Sequence, residues 1–301
     1  MKVLLGSPRG FCAGVVRAVE IVELALERLG KPVFVRHEIV HNPFVVDSLR
    51  QRGAVFIEDL SEVPDNQVVI FSAHGVSPRV RMEAQARGLR VIDATCPLVT
   101  KVHIEALKYS QEGYSIILVG HRDHPETVGT AGEVPGNIVI VETAQEAETV
   151  EVINQKKVAV LTQTTLSVDD TKEIIDALRS RFPNLLVRND ICYATANRQL
   201  AAKTLAKQVD LVLVIGAPNS SNCNRLKEVV QAAGVKAFLV NGPDEVTEDR
   251  VRGAARIGIV SGASTPEVLV NAVTKKLAPD QIVPIEVVQE NVRFSLPSEL
   301  R

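Results

Sequence analysis

Three cysteines, Cys12, Cys96 and Cys192, each stand where a short apolar run gives way to a helical pattern. In α/β proteins such corners collect function, because strand carboxyl ends open onto a crevice and helix N-termini attract anions. Cys12 to Cys96 spans 84 residues and Cys96 to Cys192 spans 96, so the arrangement reads as an internal repeat of small α/β domains. A polar cluster follows each cysteine at a matched distance: His41 at 29 residues, His124 at 28 and Ser220 at 28. A further cluster follows at 62 (His74), 68 (Thr164) and 72 (Ser264). If the rounds meet around a pseudo-threefold axis, the three sulfurs form a triangle in one pocket. Structural zinc takes four ligands in a closed site, so three thiolates suit it poorly. They suit an iron–sulfur cluster with one iron left without a protein thiolate. None of the three lies in a C-x-x-C pair, so such a site would exist only in the folded chain. Cys223 has no counterpart in the other rounds and is expected to be a packed thiol.

The polar clusters suggest what else the pocket takes. His41, His74, Ser220, Ser221, Asn222 and Ser264 are donors at or just before helix starts. Together with unpaired helix N–H groups they make an anion site, and a diphosphate is the natural match. There is no G-x-x-x-x-G-K-[ST] and no G-x-G-x-x-G, so neither a P-loop nor a dinucleotide fingerprint is present. Glu126 follows His124 and Pro125 at a helix start. A carboxyl in a dry anion pocket is a candidate general acid, its pKa open to an upward shift. Thr164 could relay a proton or hold a substrate hydroxyl. Taken singly, each serine or asparagine could equally be a helix cap, Glu126 a helix-start acid, and each histidine a satisfied residue. Two rival functions use the same residues. One is a zinc-dependent lyase or hydrolase of a phosphorylated metabolite; the other is a non-catalytic phospholigand-binding protein with buried cysteines.

Short Val/Ile/Leu runs alternate with helical periodicity along the whole chain, which predicts parallel sheets covered by helices. The pattern predicts strands at 3–5, 33–35, 68–71 and 89–94, then 115–119, 138–141, 158–161 and 185–187, then 210–215, 237–240 and 257–260. Helix starts are marked by Asn42-Pro43, Ser77-Pro78, Thr265-Pro266 and a capping-box-like Ser167 with Asp170. Ile282–Val288 and Val292–Leu296 are expected to be edge or tail strands. The fold class is therefore α/β, with domains expected at 14–96, 97–192 and 193–281 (with 1–13), and a C-terminal strand segment at 282–301. No Gly/Ser-rich linker separates the rounds, so they should pack together.

Composition limits the function classes. The chain has 301 residues, 46% hydrophobic and 23% charged, with a net charge of -2, and it lacks Trp. No basic field or set of stacking platforms points to nucleic acid. The N-terminal apolar run is too short for a signal peptide, and no stretch approaches the roughly 18 apolar residues of a membrane span. A cytoplasmic protein is expected, in which four cysteines point to metal binding or catalysis rather than disulfides.

At the level of motifs the chain resembles the 4-hydroxy-3-methylbut-2-enyl diphosphate reductase (LytB) family. The resemblance is carried by Arg9-Gly10-Phe11-Cys12-Ala13-Gly14-Val15, Ala73-His74-Gly75, Asp93-Ala94-Thr95-Cys96-Pro97 and His124-Pro125-Glu126. It continues through Thr162-Gln163-Thr164-Thr165-Leu166-Ser167, Ile191-Cys192-Tyr193-Ala194-Thr195 and Asn219-Ser220-Ser221-Asn222. The resemblance implies three α/β domains in a pseudo-threefold trefoil around a central 4Fe–4S cluster held by Cys12, Cys96 and Cys192, with one open iron. It implies reductive dehydroxylation of the allylic diphosphate to isopentenyl and dimethylallyl diphosphate, with the substrate oxygen bound at the open iron. His41, His74, His124, Thr164, Ser220, Ser221, Asn222 and Ser264 would bind substrate, and Glu126, His124 and Thr164 would be catalytic. It also implies a flavodoxin- or ferredoxin-type electron donor; a monomer is expected.

Overall fold

The computed structural model describes residues 1–300. The strands lie in three all-parallel sheets. The chain begins with β1 (Lys2–Ser7) and α1 (Ala13–Leu29), then builds one sheet from β2 (Val33–Arg36), β3 (Ala54–Ile57), β4 (Val68–Phe71) and β5 (Arg90–Asp93). Helices α2 (Pro43–Arg52) and α3 (Pro78–Ala86) connect these strands. After α4 (Pro97–Gln111), a second sheet uses β6 (Ser115–Val119), β7 (Ile138–Val141), β8 (Val158–Thr162) and β9 (Leu186–Val187). Its connections include α5 (Pro125–Ala131), α6 (Ala144–Thr149) and α7 (Val168–Arg181). After α8 (Tyr193–Ala206), the third sheet takes β10 (Leu211–Ile215), β11 (Lys236–Val240), β12 (Arg256–Ser261) and β13 (Gln281–Glu286). Helices α9 (Ser221–Ala232), α10 (Glu248–Val251) and α11 (Glu267–Leu277) complete it.

The strand orders are β3-β2-β4-β5, β7-β6-β8-β9 and β11-β10-β12-β1-β13. The repeat is therefore one of topology. In each sheet the first strand in the repeat order is central, and the fourth leads to a cysteine. For the third sheet that fourth strand is β1, paired in register with β12 (Val3↔Ile257) and with β13 (Val3↔Ile282). The strands are apolar on both faces because helices cover both. Leu213 and Ile215 pack toward Val270 and Val273 of α11, while Val212 and Val214 pack toward Leu205 of α8 and Leu226 of α9. Burying each such side chain contributes about 1.5–3 kcal/mol. In the second sheet Ile117 and Val160 face Ile174 and Leu178, and Ile116 and Leu161 face Val102 and Tyr109.

The chain divides into two compact units. One comprises Met1–Val16, His41–Val45 and Cys192–Arg293; the other comprises Arg17–Val40, Val46–Ile191 and the chain from Phe294 onward. The first carries the sheet of β10 and its neighbours, the second the other two sheets. No helix among the described residues is long and apolar enough to cross a membrane.

Three local expectations are corrected. The strand β3 follows directly after Gly53, where the sequence reading left no strand; it is the edge strand matching β7 and β11. Residues Val292–Leu296 form no strand. Arg17 Nε donates to the Ser295 carbonyl at 2.8 Å, and beyond it Arg28 Nη1 donates to the Leu300 carbonyl at 3.1 Å. Side-chain donors of α1 thus occupy carbonyls of this segment. Thr265 is not a cap: α11 is capped at Pro266, and the Thr265 hydroxyl donates to the Ile215 carbonyl at 2.8 Å.

Candidate active site

In the first unit, backbone and side-chain hydrogen bonds tie the predicted residues together around Ala263. The Ala263 carbonyl accepts from the Cys12 N–H at 3.1 Å, and its own N–H donates to Asn222 Oδ1 at 3.0 Å. The next residue, Ser264, donates from Oγ to the His41 carbonyl at 3.1 Å. On the other side of Asn222, its Nδ2 donates to Thr195 Oγ1 at 3.4 Å. Thr195 is joined to Cys192 through both its N–H and its hydroxyl, because Cys192 caps α8 and Sγ accepts from the Thr195 N–H. Ser220 caps α9 and accepts from the Cys223 N–H at 3.4 Å; Ser221 is the first residue of that helix. Hydrogen bonds therefore gather Cys12, Cys192, Asn222, Ser264 and the His41 backbone, with Ser220 two residues before Asn222. The backbone approach at Cys12 requires Gly10, whose φ is +72° and whose N–H donates to Ser261 Oγ at 2.8 Å.

The second unit assembles the remaining residues. Cys96 caps α4 with Pro97 behind it, and its N–H donates to the Ala73 carbonyl at 3.0 Å, next to His74. The His74 and His124 rings meet edge to face with centroids 5.7 Å apart. His124 caps α5, and its Nδ1 accepts from the Glu126 N–H at 3.2 Å. That bond makes Nδ1 the unprotonated nitrogen and leaves Nε2 to carry the proton in the neutral ring.

Glu126 is 3% exposed. Its Oε1 accepts from the Thr164 N–H at 2.6 Å and its Oε2 from the Thr164 hydroxyl at 2.9 Å. Burial pushes its pKa up to about 7, against the opposing effect of both Thr164 bonds. The carboxyl is thus poised between its two protonation states near neutral pH.

The sequence reading missed the residues that brace these groups. Thr195 was visible only as part of a motif, although its place three residues after a helix-capping cysteine is a capping offset. Gln163 holds the Glu126 corner from behind. Its Oε1 accepts from the His121 N–H at 3.0 Å and from Thr127 Oγ1 at 3.3 Å, and its Nε2 donates to Thr165 at 2.8 Å. Nothing in its spacing distinguishes it from any polar residue after a strand.

The family model described as LytB protein matches residues 3–278. The chain belongs to this family. Among curated relatives, the chain is 53% identical over 309 residues to the 4-hydroxy-3-methylbut-2-enyl diphosphate reductase of Methylococcus capsulatus, covering 100% of this chain and 99% of the relative. It is 53% identical over 310 residues to the enzyme of the same name from Pseudomonas aeruginosa, with the same coverage. Among solved structures, the E-1-hydroxy-2-methyl-but-2-enyl-4-diphosphate reductase of Plasmodium falciparum is similar at a TM-score of 0.96 and 38% identity, covering 100% of this chain and 96% of that one. A second solved (E)-4-hydroxy-3-methyl-but-2-enyl diphosphate reductase gives a TM-score of 0.67 at 33% identity, over 92% of this chain and 99% of that one.

Cys12, Cys96 and Cys192 offer three thiolates, the donor chemistry that iron–sulfur clusters take. Cys12, Cys96 and Cys192 are half-buried at helix starts, whereas Cys223 is fully buried. Burial raises the Cys223 thiol pKa, opposed by the polar groups of Ser220 and Thr265 and the backbone at Ala217 and Gly262. A hydroxyl of similar size would find the same polar surroundings. Cys223→Ser is therefore expected to retain the iron of the wild-type protein; loss of iron in that variant would refute the three-cysteine ligand set.

Proposed function

We propose that the protein is a cytoplasmic 4-hydroxy-3-methylbut-2-enyl diphosphate reductase that removes the allylic hydroxyl as water and yields isopentenyl and dimethylallyl diphosphate. The observation that carries the reading is the Glu126 corner, a carboxyl with a raised pKa held by Thr164 and flanked by His124. It occurs in a chain whose full-length relatives bear that enzyme's name. Cys12, Cys96 and Cys192 would hold a 4Fe–4S cluster, which when bound supplies low-potential electrons and a Lewis-acidic iron.

The chain's own groups do the rest. His41, Ser220, Ser221, Asn222 and Ser264, with His74 and His124, bind and orient the diphosphate through donors placed at helix starts. His74 and His124, holding the anion, fix the allyl carbons relative to Glu126. The bound diphosphate raises the Glu126 pKa further, so the carboxyl enters the reaction protonated. Thr164 donates to Glu126 Oε2 and can pass a proton between that oxygen and substrate. The balance is two electrons and two protons per turnover: the C–O bond breaks, the oxygen leaves as water, and one proton is delivered to either end of the allyl unit. The two electrons come singly from a flavodoxin- or ferredoxin-type donor.

Anaerobic purification tests the reading. A brown protein with about four irons per chain is expected, converting the allylic diphosphate when given a one-electron reductant. A colourless protein holding one tightly bound zinc would overturn it.

A further inference from the structure

Arg198 lies one and a half turns into α8 after the Cys192 cap, and it is 1% exposed. No fully buried side chain among the described residues is larger. Its Nη1 donates to Glu290 Oε1 at 3.1 Å and Oε2 at 3.3 Å, and to the Ala194 carbonyl at 3.1 Å. Its Nη2 donates to the Gly10 carbonyl at 2.8 Å, while Nε has no hydrogen-bond partner. Asn197 Nδ2 donates to the same Glu290 oxygen at 3.1 Å. One guanidinium thus holds a carbonyl two residues before Cys12 and another two residues after Cys192. The bond from the Ala13 N–H to the Tyr193 hydroxyl, 3.2 Å, runs beside it.

Glu290 lies in the irregular segment after β13, at the edge of a cleft of about 460 Å³ that Arg9, Glu267 and Glu286 also line. The Arg9–Glu267 pair, at 2.9 Å, is partly solvent-exposed and therefore screened. The Arg198–Glu290 pair, its cation buried and its carboxylate mostly so, is screened far less. An arginine cannot discharge itself by losing a proton, so its charge persists under the Cys12 corner and is balanced by this one carboxylate. A buried ion pair is weak evidence for stability on its own account. Fastening a tail would require neither burying the cation nor the additional bond to Gly10.

We propose that Arg198 and Glu290 are positioning residues, a clamp through which the C-terminal segment holds the backbone beside Cys12 and Cys192 and sets the net charge beneath them. It thereby tunes the reduction potential of a cluster bound there. This rests on Cys12 and Cys192 being cluster ligands.

Two measurements on the full chain test the clamp. In the metal-free protein, Arg198→Met should speed hydrogen exchange at the Gly10, Cys12 and Ala13 amides by about tenfold, the loss of one well-made bond, and leave the β10 amides at wild-type rates. Unchanged exchange, or equal acceleration through β10, would overturn the clamp. In the iron-loaded protein, Glu290→Gln leaves the cation unbalanced and should move the cluster midpoint to a more positive potential. Arg198→Met should move it the other way. Arg198→Lys, which keeps the charge but loses the fork, should hold the midpoint near wild type while failing to protect the Gly10 amide. A midpoint unmoved by both Glu290→Gln and Arg198→Met would overturn the electrostatic role. Should the wild-type chain bind no iron, the cluster reading fails, and the exchange measurement alone decides the clamp.

Discussion

Glu126→Gln is expected to lower steady-state turnover by about 10²–10⁴-fold, the range for loss of a positioned general acid. Iron content and substrate affinity should be retained. The amide can keep both bonds to Thr164, its oxygen accepting the N–H and its NH2 donating to the hydroxyl. What it cannot do is deliver a proton. Near-normal rates in this variant would remove Glu126 from the proton path.

The same substitution should stabilise the fold at alkaline pH. Burial raises the folded pKa of Glu126 from an ordinary 4.5 to about 7, so the native state favours the protonated form. The associated stability is complete below the unfolded value and is lost as pH rises through about 7. A shift of this size corresponds to about 3 kcal/mol. Denaturant midpoints of wild type should therefore fall between about pH 5 and pH 8 by more than those of Glu126→Gln, with the variant the more stable at the upper end. Parallel pH profiles would show that the carboxyl does not titrate in this range.

Gly262→Ala should strike both stability and the site. A Cβ at Gly262 would stand 2.2 Å from Cys223 Sγ, while its next neighbours, at 3.4 and 3.5 Å, are ordinary contacts. Overpacking of this kind costs about 1–3 kcal/mol. The backbone that must yield leads directly into Ala263 and Ser264, which hold Cys12, Asn222 and His41. Cys223→Ala removes the colliding atom, so Gly262→Ala should cost much less in that background. Urea unfolding of the double-mutant cycle reads this as a coupling energy of about 1 kcal/mol or more. Additive effects would discard the steric account. A Cβ at Gly216 would also stand 2.2 Å from Cys223 Sγ, but the φ of +157° there adds strain to any side chain, so Gly262 is the cleaner test.

Much of the site was legible before folding because its parts are local. Cys12, Cys96, Cys192 and each polar cluster follow an apolar run and precede a helix, and a capping residue announces itself by type and offset. The spacing repeat found the corners after β2, β6 and β10 and those after β4, β8 and β12. The edge strand β3 went unread because four residues behind a glycine carry little periodicity. What the tertiary structure alone decided concerns long-range bonds. Thr265 reads as a cap, but a carbonyl 50 residues away, on Ile215, takes its hydroxyl. Val292–Leu296 has the composition of a strand, but arginines of α1 reach its neighbourhood and no partner strand does. Ala263 ties Cys12 to Asn222 through a backbone that every residue possesses, so no residue type could betray it. Arg198 looks like one more helical cation until the fold buries it against Glu290, 92 residues on. Side-chain type records what a residue can bond; the fold decides which distant backbone groups are left for it to bond.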